Sequence, residues 1–160
     1  MEKIPFDDIA SLEKCVSEEF GAWSQPMEIT QQIINDFAEV TGDRQWIHID
    51  VERCKKESPF GTTIAHGFLT LSLLPKLSAG TSDAFAVTGY GNATNYGGEG
   101  LRFLSPVPAG SKVHARRRLK GVEATPKGTK VTTQVAIHVV GSEKPALLMD
   151  SIILYQPPRK

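Results

Sequence analysis

Three long runs in the second half of the chain alternate with a period of two, and one very apolar segment precedes them. In residues 113–119, Val113, Ala115, Arg117 and Leu119 share one face, while His114, Arg116 and Arg118 share the other. Val131, Thr133, Val135, Ile137 and Val139 mark the second run. In the third, Leu148, Asp150, Ile152 and Leu154 oppose Leu147, Met149, Ile153 and Tyr155. Turn residues at 106–110, 125–128 and 141–144 separate the runs, and the period of two begins near Ala84. Short links between long strands predict an antiparallel sheet, one face of which must be covered.

The cover is upstream. A helix is expected over about 67–78, where Phe68, Leu69, Leu71, Leu73, Leu74 and Leu77 occupy several faces and predict burial all round. Pro75 should kink or end it. An earlier helix starts at the N-cap Thr30, presents Ile33, Ile34, Phe37, Ala38 and Val40, and stops at Gly42. Residues 43–63 read as loop with a short helix near 51–56. The fold class is therefore α+β, with an antiparallel sheet wrapped around a central buried helix.

Composition narrows the function. The 160 residues suit one domain, and 18 basic residues balance 18 acidic ones. Zero net charge argues against a nucleic-acid binder that works by counterion release, and against attraction to an anionic membrane. Two cysteines, Cys15 and Cys54, point to a reducing compartment. The acidic N-terminus lacks a signal peptide's apolar run, and no stretch approaches the roughly 18 residues of a membrane span. A soluble, cytoplasmic protein is expected.

Two clusters carry chemistry. In residues 41–50, Asp43 follows a helix end and His48 lies five residues on in extended-looking chain. A loop that doubles back would bring carboxylate and imidazole together as an acid–base pair. In residues 60–69, the sequence Ala65-His66-Gly67 leads into the apolar helix. Amides at that helix start, Gly67's among them, would form an oxyanion hole for a polarised carbonyl. Glycine there would let a ligand approach the backbone.

Residues 37–50 and 60–69 together resemble the MaoC-like, or (R)-specific enoyl-CoA hydratase, family of hotdog-fold proteins. Asn95-Tyr96-Gly97 and the run 102–111 resemble the family's following strands, so the likeness spans about 20–155. The resemblance implies a hotdog fold, a homodimer, and reversible syn hydration of trans-2-enoyl thioesters in fatty-acid or polyhydroxyalkanoate-type metabolism. It makes Asp43 and His48 the catalytic dyad and Gly67 the amide that holds the thioester oxygen. Asp43 would take a proton from water, and His48 would hold that water and help deliver a proton to Cα. Gln45, His66 and Asn95 would orient the dyad or line the substrate. No cofactor is implied, since CoA, or an acyl-carrier protein, is part of the substrate. Two departures from the family pattern are Gln45-Trp46, where Asn-Pro is common, and the glycines at 97, 98 and 100, which would open space or bend the sheet.

Plainer readings accompany these. His66 either caps the buried helix or packs beside the dyad. Asp43, His48, Cys54 and His66 fit no standard zinc spacing, so no metal is expected. His114 and His138 read as solvated, as do Arg116 and Arg118, unless the arginines grip CoA phosphates. Leu71, Leu74 and the three glycines are candidates to line an acyl tunnel. A hotdog acyl-CoA thioesterase and a non-catalytic acyl-thioester-binding protein are the rival functions.

Overall fold

The computed structural model describes residues 2–78 and 85–159. In chain order the elements are β1 (Glu2–Pro5), α1 (Ile9–Glu13), β2 (Met27–Glu28), α2 (Gln31–Thr41), α3 (Trp46–Ile49), α4 (Val51–Glu57), α5 (Gly67–Ser72) and α6 (Leu74–Ser78). Then follow β3 (Phe85–Thr88), β4 (Asn92–Phe103), β5 (Lys112–Thr125), β6 (Gly128–Val139) and β7 (Leu147–Gln156). The expected start of the period-two region at Ala84 lies outside the described residues.

The five-stranded sheet runs β2-β5-β6-β7-β4, and every pairing in it is antiparallel. β1 and β3 form a separate parallel pair. The three alternating runs are β5, β6 and β7. Their core-facing side chains, Val113, Ala115, Val135, Ile137, Leu147 and Met149, pack against Ile34 of α2, Leu69 of α5 and Leu77 of α6. Leu12, Ile34, Ile137 and Leu147 are fully buried. Burying such a side chain contributes about 1.5–3 kcal/mol, so this shared core is what holds the helices on the sheet.

α2 forms as its sequence demands. Thr30 accepts from the Ile33 amide at 3.2 Å, and Gly42 ends the helix in the left-handed conformation at φ 77°. Val40 does not join the buried face, being 87% exposed. The apolar helix also differs from expectation. It divides at Leu73 into α5 and α6, and Pro75 falls in the first turn of α6, where its missing amide costs nothing. Burial is one-sided: Leu69 and Leu77 are inside, while Phe68 is 64% exposed.

β4 is a fourth long strand and an edge, paired among the described residues only with β7. Its register slips between Asn95 and Gly97 and again between Glu99 and Arg102, with Gly100 at φ 61°. The glycines therefore build bulges into an edge strand, which bends it and breaks a flat pairing template.

The outer face of β5 and β6 is covered rather than solvated. His138 is 3% exposed, and the Trp23 ring stacks on His114 at 3.8 Å between centroids. Arg116 lies between Phe20 and Trp23, at 4.9 and 4.5 Å from their rings. Arg118 pairs with Glu18 and donates to Gln134 at 2.9 Å. The chain around 17–24 folds back over this face, so Arg116 and Arg118 are engaged locally.

Candidate active site

Gly42 reverses the chain at the end of α2 and sets Asp43 on a turn, exposed to solvent. His48 follows in the single helical turn α3, not in extended chain. That turn points the ring inward, leaving it 6% exposed. Asp43, His48 and His66 bring one side-chain donor atom each to within 4.8 Å of one another. The 43–48 spacing and the distant His66 thus converge on one small volume.

The hydrogen bonds around His48 set its state. Its Nδ1 lies 2.7 Å from the Ile64 carbonyl oxygen. A carbonyl only accepts, so Nδ1 carries the proton. Burial pushes the His48 pKa below the usual imidazole value; the Ile64 bond opposes this, His66 adds to it, and Asp43 again opposes it. At neutral pH the ring is therefore uncharged, and Nε2 is an acceptor. A neutral His48 must take up a proton before it can deliver one.

His66 packs beside His48, with ring centroids 3.8 Å apart. It makes no capping hydrogen bond to α5. Its Nε2 instead donates to the Asp43 carbonyl at 2.8 Å, pinning the turn that carries the carboxylate, and its Nδ1 is buried without a partner. Although three donor atoms are close, the His48 and His66 planes differ by only 28°. Stacked rings aim their lone pairs side by side rather than at one shared ion, a poor arrangement for a tetrahedral metal.

His48 and Gly67 line the same cavity, about 310 Å³ in volume, together with Phe60, Ile64, Thr70 and Phe103. Gly67 is the first residue of α5, so its N–H has no acceptor within the helix. α5 is only six residues long, so the amide itself, rather than a large helix dipole, is the available donor. A Cβ at Gly67 would meet the Phe103 ring at 2.9 Å, so the missing side chain makes room for Phe103.

Other expected site residues lie apart. Gln45 occupies the N-cap of α3, but its side chain makes no capping bond; only its backbone amide reaches Asp43 Oδ1, at 3.4 Å. Asn95 sits on the exposed edge strand β4, opposite Ile153, and is not among the cavity's lining residues. Neither are Leu71, Leu74 or the glycines at 97, 98 and 100. Sequence reasoning missed Ile64, Phe103 and Gln31. Gln31 donates from Nε2 to the His48 carbonyl at 2.8 Å. Only the 60–69 motif hinted at Ile64.

Beside the five-stranded antiparallel sheet, the imidazole of His48 and the helix-start residue Gly67 thus share one cavity, and the Asp43 carboxylate lies next to that imidazole. Residues 17–140 match the MaoC like domain, and the chain belongs to that family. It is 46% identical over 151 residues to 3-hydroxyacyl-thioester dehydratase Z of Mycobacterium tuberculosis, covering 94% of this chain and 97% of that protein. Among solved structures, an R-hydratase from Pseudomonas aeruginosa in the unliganded form superposes with TM-score 0.61 at 26% identity, over 87% of this chain and 83% of that one. The (R)-hydratase from A. caviae involved in PHA biosynthesis gives TM-score 0.67 at 21% identity, over 87% and 98%, and shares the fold.

Proposed function

We propose that the protein is a hydro-lyase that adds water reversibly to trans-2-enoyl thioesters, giving (R)-3-hydroxyacyl thioesters. The observation that carries this reading is that His48 and Gly67 line one cavity, while the Asp43 carboxylate, itself outside that lining, lies within 4.8 Å of a ring nitrogen of His48. The Gly67 N–H polarises the thioester carbonyl and stabilises the enolate as it forms; one such donor is worth about 10²–10³ in rate. Asp43 and His48 hold a water between them. The pair removes one proton from that water as its oxygen bonds to Cβ, and returns a proton to Cα from the same side. Both catalytic groups end as they began, and the addition is syn. The substrate brings its own CoA or carrier-protein arm, and no cofactor enters the steps.

A homodimer would suit the same chemistry, because among the described residues the second edge of the twelve-residue β4, which ends at Phe103, pairs with no strand. The experiment is to mix the protein with crotonyl-CoA and follow the absorbance of the conjugated enoyl thioester. Loss of that absorbance with formation of (R)-3-hydroxybutyryl-CoA is expected. Release of free CoA thiol without hydration would identify a thioesterase, and unchanged absorbance with bound ligand would identify a carrier. Asp43→Asn should lower the hydration rate by about 10²–10⁴, the usual contribution of one acid–base group. Its melting temperature should match wild type, because Asp43 is exposed and its carboxylate's hydrogen bond, from the Gln45 amide, is long at 3.4 Å.

A further inference from the structure

Gln31 is the first residue of α2, directly after the N-cap Thr30, where an uncapping polar side chain would ordinarily face water. Its amide instead bridges two segments that hold His48. Nε2 donates to the His48 carbonyl at 2.8 Å and to Asn35 Oδ1 at 2.9 Å. Oε1 accepts from the hydroxyl of Thr63, a residue only 1% exposed. Thr63 adjoins Ile64, whose carbonyl fixes the His48 ring and whose amide donates to the Ile47 carbonyl at 3.0 Å. The ring is thus held through Ile64, and the turn that carries it is held through Gln31.

We infer that Gln31 is a positioning residue for His48: its amide locks α3 to the 63–64 segment so that Nε2 of the imidazole faces the cavity. A primary amide suits this role, because the bridge must donate at one end and accept at the other. A carboxylate cannot donate to the His48 carbonyl, an ammonium cannot accept from Thr63, and a thioether of equal length does neither strongly. The titratable groups around the ring are Asp43, from the turn after α2, and His66, at the start of α5. On this side α2 adds the uncharged Gln31 and Asn35, and α4 places the Cys54 thiol under the Trp46 and Ile47 carbonyls. The kinetic consequence of this role rests on the hydration reading; the geometric one does not.

The test compares wild type with Gln31→Met, Thr63→Val, Thr63→Ser and the double variant Gln31→Met/Thr63→Val. Two readouts are needed: crotonyl-CoA hydration kinetics, and the His48 titration followed by NMR of its imidazole. Gln31→Met should lower kcat by about 10²-fold, the cost of misplacing a reacting group by about 1 Å. KM should change little, since no substrate contact is removed. The His48 titration should move up toward the ordinary imidazole value, because burial is what holds it down. Thr63→Val should behave similarly, Thr63→Ser like wild type, and the double variant like either single one, because both break one bridge. A Gln31→Met protein with unchanged kcat and unchanged His48 titration, differing only in melting temperature, would overturn the assignment. An inactive wild type would overturn the hydration reading instead, and the NMR comparison then decides the role of Gln31 by itself.

Discussion

The Ile64 carbonyl decides what His48 can do. By taking the Nδ1 proton at 2.7 Å it leaves Nε2 as the acceptor, and burial keeps the ring neutral. Activity that needs the neutral ring should therefore persist below about pH 6.5, the free imidazole value, and fall along an acid limb below it. A pH profile of kcat/KM checks this, and an acid limb above the free value would refute it. The same burial has a stability consequence. Since the folded-state pKa is lowered, the unfolded chain binds the proton first, so stability is lost as pH falls from about 6.5 through the folded value. Burial, with help from His138 and Arg116, lowers His114 too, and it adds to this loss in the same direction. The spacing of Asp43 and His48 was legible in the sequence because the two are close along the chain. The tautomer was not, because Ile64 lies sixteen residues from His48 and Gln31 seventeen, with no periodicity to connect them.

At the scale of elements, β5, β6 and β7 could be read because a half-buried strand must alternate, and that is a local property. β4 was legible only through the resemblance of Asn95-Tyr96-Gly97 and 102–111 to the family's strands, because nearly all its residues are exposed and its bulges interrupt the period. Alternation also names a face without saying what covers it. His114 and His138 read as solvated because Trp23, which packs against both, comes from a distant irregular segment. The contact between α5 and β4 is a third feature of this kind, and it yields a prediction. Gly67→Ala would push a methyl group into the Phe103 ring, which is 46% exposed and free to swing aside. Stability should fall by about 1 kcal/mol or less, the low end of overpacking costs. The displaced ring would crowd the place proposed for the thioester at the Gly67 amide, so kcat/KM should drop about tenfold or more. Adding Phe103→Ala should recover most of that loss. Failure of the double variant to recover would show that the methyl itself obstructs the amide.

For the whole molecule, zero net charge supplies no long-range attraction to nucleic acid or an anionic membrane. Among the described residues, moreover, no helix is long and apolar enough to cross a membrane. A thioester of CoA carries several negative charges, and a neutral protein supplies no long-range attraction for it. Any grip on the phosphates must then be local, and Arg116 and Arg118, held by Phe20, Trp23 and Glu18, are poorly placed to provide it. A second copy of the chain is the economical source. β4 has an unpaired edge beside a cavity that Phe103 lines, and Tyr96, Phe103 and Phe68 are all about half-exposed or more. Edge-to-edge pairing would satisfy those backbone groups and cover the aromatic rings in one step. Light scattering should accordingly give twice the 17.5 kDa chain mass at micromolar concentration. Tyr96→Asp, which sets a charge at the β4 bulge, should shift the protein toward monomer and reduce hydration in proportion. A wild-type monomer with full activity would show that one chain completes the site alone, and the search for phosphate contacts would return to its own lysines and arginines.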